Sequence, residues 1–378
     1  MSVTVKQVQT RADLRRFVDY PNQLYKDVPQ FVPAFYGDDI SDWDEKINPA
    51  FKYCEARAYL AYRDGKIVGR IGAILNHAAN KKWGYNRMRF SQVDFIDDKE
   101  VSKALFDTVE KWAAQKGCDE VHGPLGFCDT DREGMLYYGY EQRGQFITYY
   151  NHPYYNEHLE AFGYTKDADW LEYKLPVPKA GDEYYERIHG LAQIVLKRRK
   201  YHKVSLSSHR QFKPYIRKFF VLVNEAYAGL YGVVELNEEQ IEKYADKFVP
   251  LINPDYCCLV VDDNDDLVAM GVCAPSVASA MQKNRGRLFP FGWAGVLKNL
   301  HKNNAVDLLL MAVKPKLQGS GLNAVVIDHI MTSCIKNGIE YAETGPMLEM
   351  NTKILSQWKM FNLEPFKKRR CYLKKISE

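Results

Sequence analysis

The stretch Val313-Lys314-Pro315-Lys316-Leu317-Gln318-Gly319-Ser320-Gly321-Leu322-Asn323 joins an apolar run, 308–313, to a helix-forming run, 324–330. A strand, a glycine-bearing turn and a helix aim free backbone N–H groups at one point, and the helix dipole adds partial positive charge there. The chemistry is anion binding, suited to a phosphate or pyrophosphate. Gly319 and Gly321 permit close approach and positive φ. No Gly-Lys-Ser/Thr closes the turn, so it is not a Walker loop, and the three glycines of a dinucleotide fingerprint are missing.

The elements that must position this loop occur twice. Cys118-Asp119-Glu120-Val121-His122-Gly123-Pro124-Leu125 and Ile339-Glu340-Tyr341-Ala342-Glu343-Thr344-Gly345-Pro346-Met347 each follow a helix ended by glycine, read as a strand and finish in Gly-Pro plus an apolar residue. Upstream, 58–74 reads as a hairpin around Asp64-Gly65, and 258–272 repeats the pattern. Downstream, 155–164 and 355–363 read as short helices, each followed by a final strand, 170–175 and 370–376. Two copies of one α/β unit are expected, at 1–178 and 183–378, with a linker-like joint near Pro176-Val177-Pro178.

The copies differ where chemistry would sit. In the first, Ile96-Asp97-Asp98-Lys99-Glu100 runs into a helix over 101–116 with Val101, Leu105, Val109 and Trp112 on one face. Its carboxylates suit helix capping and fill the anion position with negative charge. Only the second copy is expected to bind an anionic cofactor. Past Gly123-Pro124 lie Asp129, Asp131, Arg132 and Glu133, followed by Asn151 and His152, which would line a cleft shared between copies and receive a substrate head group.

A net charge of +4 is too small to argue for nucleic acid. Two basic runs, 197–200 and 367–370, read as solvated faces. Eight cysteines lack metal-type spacing, and nine histidines include no His-x-x-x-His, so no metal is expected. No signal peptide is visible at the N-terminus, and no apolar stretch approaches the roughly twenty residues of a membrane span. The expected location is cytoplasmic, with contact at the inner face of the membrane. That contact would come from 283–298, where Phe289, Phe291 and Trp293, with Met281, form a greasy surface flanked by cations. Alternatively the segment covers an acyl-chain tunnel, and in either case these rings would bind the lipid substrate.

The loop resembles the Gln/Arg-x-x-Gly-x-Gly/Ala loop by which GNAT acyltransferases hold the pyrophosphate of coenzyme A, with Gln318, Gly321 and Asn323 at the marked positions. Asn323 departs from the small residue usual there. Nearly the whole chain resembles the family that includes bacterial ceramide synthases. This rests on Phe17-Val18-Asp19-Tyr20-Pro21, Phe31-Val32-Pro33-Ala34, Lys46-Ile47-Asn48-Pro49-Ala50-Phe51, Gly69-Arg70-Ile71-Gly72-Ala73-Ile74, Tyr150-Asn151-His152-Pro153-Tyr154-Tyr155 and Leu348-Glu349-Met350-Asn351. The resemblance implies an α/β fold of two tandem GNAT-like domains, each a mixed, mostly antiparallel sheet flanked by helices. It implies an N-acyltransferase moving an acyl group from acyl-CoA, or from acyl carrier protein with the same phosphopantetheine arm, to the amine of a sphingoid base. An acetyltransferase for a small soluble amine and a non-catalytic acyl-CoA or lipid binder are the rival expectations.

An amine attacking a thioester must first lose a proton, and a carboxylate can take it. On the resemblance, Glu349 and then Glu343 are the expected bases. Tyr372 is a substitute acid, because Trp358 stands where many GNAT enzymes place a tyrosine. The backbone around Met311 to Val313 would polarise the thioester. Gln318, Gly319, Ser320, Gly321, Leu322 and Asn323 would hold the pyrophosphate, and Asn351 either the pantetheine arm or the next helix.

Overall fold

The computed structural model describes residues 2–199, 201–249, 252–358 and 363–376. Strands β1 (Thr4–Gln7), β2 (Cys54–Arg63), β3 (Lys66–Asn76), β4 (Arg87–Phe95), β5 (Glu120–Gly123), β6 (Met135–Tyr138) and β7 (Thr165–Glu172) belong to a first sheet. A second contains β8 (Lys174–Pro176), β9 (His202–Lys203), β10 (Cys257–Val261), β11 (Leu267–Pro275), β12 (Ala305–Val313) and β13 (Tyr341–Thr344). The chain then returns to the first sheet with β14 (Met347–Leu348) and β15 (Lys367–Lys375).

Each copy carries the same local logic. The β2–β3 hairpin turns on Asp64 and Gly65, both at positive φ (52° and 75°), the backbone state that a tight hairpin demands. Helix Lys99–Gln115 links β4 to its parallel neighbour β5, and helix Leu322–Lys336 links β12 to its parallel neighbour β13. Val101, Leu105, Val109 and Trp112 are buried, as their spacing predicts.

The sheets interlock. β7 lies in the first sheet, but its continuation β8 pairs with β13 of the second. The C-terminal strand β15 leaves its own copy and inserts between β5 and β7 of the first. The basic run 367–370 lies within this strand, and its alternation sends Lys367 and Arg369 inward, each 1% exposed. Both reach the buried carboxylate of Glu172, at 2.9 and 2.5 Å, while Arg370 grips Asp169 through two bonds of 2.9 and 3.1 Å. The expected solvated face is therefore a buried ion cluster. Sequence charge alone misread it because the anionic partner sits about two hundred residues away. In the other run, Lys197 is exposed, whereas Lys200 lies outside the described residues.

Helices Ile216–Tyr227 and Glu238–Phe248 of the second copy cross over to the first. Tyr244 Oη donates to Asp131 at 3.2 Å, Gln240 Nε2 to Tyr53 Oη at 2.6 Å, and Lys243 pairs with Asp42 at 2.9 Å. Trp83 Nε1 donates to the Val233 carbonyl at 3.1 Å. These ties hold the loop after Gly123-Pro124 against the helices of the second copy.

Candidate active site

The anion loop folds as its glycines require. Gly319 and Gly321 have φ of 80° and 89°. Gly321 caps helix Leu322–Lys336 without any side-chain bond, so the first-turn N–H groups of Leu322 and Asn323 have no cap. Ser320 Oγ is buried without a hydrogen-bond partner, a polar atom left for a ligand. Lys353 Nζ lies 3.3 Å from Gln318 Oε1 at the mouth, adding a cation. A Cβ on Gly321 would stand 2.8 Å from Val195. These donors, their helix dipole and the neighbouring ammonium fit a pyrophosphate.

Beside the loop the sheet opens. β12 pairs with β13 only as far as Leu308 opposite Thr344, then continues to Val313. The Gly345 N–H bonds the Leu308 carbonyl at 3.1 Å, and the chain then departs through Pro346. Leu309 is an extra residue, since Cys273 opposes Leu308 and Val272 opposes Leu310; such a bulge increases local twist. Among the described residues, no strand covers the edge from Leu309 to Val313 on that side. An extended arm carrying amides can pair with it. At this edge the Met311 carbonyl accepts a bond of 3.0 Å from Tyr227 Oη, a phenol whose burial pushes its pKa up to about 12.

The wedge opens into a cavity of about 1870 Å³, open mouth included. Phe212, Phe219, Phe220 and Ile252 wall its apolar end, and Met311, Asn351 and Trp358 line the wedge side. The first copy supplies Asp129, Asp131, Glu133 and Ile147. Burial pushes the Asp129 carboxyl up to about 6 against the pull of Arg89. Burial, then the charge of Asp129, drives Glu133 well above the ordinary carboxylate range. Asp131 is fixed instead, accepting the N–H groups of Phe127 and Cys128 at 2.8 and 3.2 Å.

The corresponding place in the first copy is filled by the chain itself. β4 pairs with β5 as far as Arg89 opposite His122 and runs on to Phe95. There the Phe95 N–H donates to Tyr155 Oη at 2.9 Å, and the Phe95 carbonyl accepts from Tyr154 Oη at 2.7 Å. At the helix start, Asp98 accepts from Glu100 N–H at 2.9 Å and Val101 N–H at 3.3 Å, and Arg63 pairs with Asp98 and Glu100. Both the backbone edge and the anion position are consumed by side chains.

Several expected site residues stand elsewhere. Glu349 is ion-paired with Lys166 and does not line the cavity. Glu343 neighbours Thr344, which lines the cavity; strand alternation turns Glu343 to the opposite face, toward Lys367 at 3.9 Å. Burial raises its pKa, but it has no access to the wedge cavity. Tyr372 is buried in the first sheet, with Oη bonded to Asn156 at 2.8 Å and Glu160 at 3.2 Å, so it is no acid for the second copy. Asn151 clamps both backbone groups of Leu136, at 2.6 and 3.0 Å, and His152 packs on Tyr25 and Tyr154; neither lines the cavity.

Asn351 lines the cavity and also caps helix Thr352–Leu355, accepting from Ile354 N–H at 3.4 Å. The sequence expected a longer helix there; 359–362 lie outside the described residues. Val313 packs, partly buried, against the core cluster that contains Leu322. Phe289, Phe291 and Trp293 do not reach the cavity: they are 81%, 80% and 47% exposed, whereas Met281 is fully buried. Tyr227 and the phenylalanine wall escaped the sequence reading, because an amphipathic helix gives no sign of whether its apolar face meets a core or a cavity.

One metal-like triplet occurs among the described residues, with donor atoms of His122, Asp167 and Cys371 within 4.8 Å of one another. Its carboxylate is already engaged by Arg87 at 3.1 Å and by Tyr231, and burial pushes His122 down to about 4. The triplet reads as an internal ion network.

No family model matches the chain. Among solved structures it is similar across its whole length to a tandem GNAT protein from the clavulanic acid biosynthesis pathway, all of which is covered, with a TM-score of 0.57 at 11% identity. A GCN5-related N-acetyltransferase from Sphaerobacter thermophilus gives 0.52 at 11% identity, over all of this chain and 96% of that one. The chain is a tandem GNAT-fold protein. In sequence, this tandem GNAT protein is 27% identical to the bacterial ceramide synthase of Caulobacter vibrioides, over 84% of this chain and 82% of that one. It is 25% identical to Protein YghO of Escherichia coli, over 98% and 95%. The ceramide synthase relative and the tandem GNAT neighbour match the family resemblance read from the sequence.

Proposed function

We propose that this tandem GNAT protein is an N-acyltransferase that moves a long-chain acyl group from acyl-CoA to a primary amine, with the amine of a sphingoid base as acceptor. The observation that carries the reading is the continuity of three parts in the second copy. A helix N-terminus with uncapped donors leads to a strand edge that no described strand covers, and that edge leads to a large apolar cavity. Pyrophosphate, pantetheine arm and acyl chain require these three environments in this order. The acceptor class rests on the name of the ceramide synthase relative. Acyl carrier protein brings the same arm without the nucleotide and is the rival donor.

A lipid acceptor must be collected from a membrane. Phe289, Phe291, Trp293 and Leu297 stand exposed, with Lys283, Arg285, Lys298 and Lys302 exposed around them. Val296 and Leu300, on the buried side of helix Gly292–His301, join the core cluster containing Phe35 and Phe146, against which Ile147 packs. Ile147 in turn lines the cavity. The patch suits anionic lipid headgroups around inserted aromatic rings. Among the described residues no helix is long and apolar enough to cross a membrane.

The test is melting temperature with coenzyme A, acetyl-CoA and palmitoyl-CoA, followed by labelled palmitoyl-CoA and sphinganine with product extraction. The expected result is the largest shift with palmitoyl-CoA, an amide product, and retention on anionic vesicles. Equal shifts with all three, and acylation of small amines only, would instead establish an acetyltransferase. Binding without turnover across an amine panel would leave a lipid-binding protein.

A further inference from the structure

Loop 124–134 of the first copy is closed on itself. The Gly134 N–H bonds the Pro124 carbonyl at 2.9 Å, and the Asp131 N–H bonds Cys128 at 3.1 Å. Gly126 admits Asp131 into the fold, since a Cβ there would stand 2.2 Å from that side chain. The loop presents Asp129 and Glu133 to the cavity beneath Tyr227. Neither carboxyl has a hydrogen bond or ion pair to a described residue, whereas Asp131 in the same loop is held by two backbone donors and Tyr244. Arg89 and Lys82 are the nearby cations: Arg89 spends two guanidinium N–H groups on the carbonyls of Gly126 and Gly232, at 2.8 and 3.2 Å, and Lys82 pairs with Glu235 at 2.9 Å. Two unpaired carboxyls facing an apolar cavity are costly unless a ligand uses them.

We propose that Asp129 and Glu133, donated by the copy that has lost its own cofactor site, are the proton acceptor for the amine acylated at the wedge of the other copy. The inference rests on the acyltransferase reading of that wedge. An incoming ammonium gives one proton to this pair, which passes it to solvent. The freed nitrogen lone pair attacks the thioester carbon, the C–N bond forms and the C–S bond breaks. The second nitrogen proton, lost as the amide forms, balances the one taken up by the departing thiolate. Burial of the two carboxyls, and the charge of Asp129 on Glu133, raise the proton affinity of both above that of a free carboxylate, which suits this exchange.

The experiment compares wild type with Asp129→Asn, Glu133→Gln, the double variant and Glu349→Gln, using palmitoyl-CoA and sphinganine across pH 6 to about 10. Melting-temperature shift with palmitoyl-CoA reports donor binding separately. The expected result is retained donor binding in all variants, with turnover at pH 7 falling about 100-fold in the double variant. Activity of that variant should recover toward alkaline pH, where solution supplies free amine. Glu349→Gln should behave as wild type. A merely structural role would lower turnover equally at every pH, and that outcome overturns the inference while leaving the acyltransferase reading intact. Full activity of the double variant at pH 7 overturns it equally. Absence of both donor binding and turnover in wild type overturns the reading of the wedge, and this inference with it.

Discussion

The two copies put a strand, a crossover helix and a parallel strand in the same order, yet end the first strand differently. In the first, Tyr154 and Tyr155 satisfy the backbone of Phe95, and Asp98 caps the following helix. In the second, no strand covers the edge from Leu309 to Val313 among the described residues, Tyr227 takes only the Met311 carbonyl there, and Gly321 leaves the helix start without a side-chain cap. Backbone polar groups demand partners, so a duplicated fold has two ways to meet that demand, with its own side chains or with a ligand. The first copy has taken the former course and serves instead as a wall of the cavity.

The contrast breaks most completely at Gly321. Gly321→Glu must place a side chain at φ 89°, 2.8 Å from Val195, and a charge against the bound anion. Donor binding should fall by at least about 100-fold, whereas Asp98→Ala in the first copy should leave it unchanged. Calorimetric titration with palmitoyl-CoA reads both, and equal losses would remove the asymmetry between the copies.

Next comes the dependence of each copy on the other. Lys367→Met removes a cation beside Glu172 in the strand that the second copy lends to the first. A loss of about 3 kcal/mol is expected, the cost of breaking a buried pair. Urea melts should show both copies unfolding in one transition; separate transitions would argue that the exchanged strand does not couple them.

A smaller effect tests the cavity. Val272 is buried at its wall, so Val272→Trp shortens the apolar end. Turnover with palmitoyl-CoA should drop about tenfold relative to acetyl-CoA, since overpacking costs about 1 to 3 kcal/mol. An unchanged ratio of rates would move the acyl chain elsewhere.

Asp129→Asn gives the smallest stability effect. Its folded pKa, about 6, lies above the unfolded value near 3.8, so the native state holds more protons between those limits. Stability therefore falls as pH rises through that window, and the cost is fully present above it. The asparagine variant should be more stable at pH 7.5, by on the order of 1 kcal/mol, and lose that advantage at pH 4. Equal melting temperatures at both pH values would show that the carboxyl is not desolvated.

Much of the fold was legible. The repeated Gly-Pro strands, the hairpin turns and the helix faces were placed by local pattern, because turn chemistry and side-chain period act within a few residues. The carboxylates were harder. Glu349 and Glu343 flank Gly345-Pro346 in sequence, yet one is spent on Lys166 and the other turned away by strand alternation. Asp129 and Asp131 look alike in sequence, and only the neighbours of each separate a fixed turn residue from an unpaired carboxyl.

The sequence by itself determined the geometry of the loop at 318–323, since two glycines between a strand and a helix set φ and free N–H groups locally, whatever packs around them. It also determined that the first copy could not repeat that loop, because a capping aspartate acts over three residues. Only the tertiary structure decided where Tyr372 and the basic run belong, which helices wall the cavity and which copy's acids face it. Those outcomes depend on pairings across hundreds of residues, in which β15 crosses to the first sheet and an interdomain helix pair clasps a distant loop. Long-range pairing is selected by the burial of the whole molecule, and no local window carries that information.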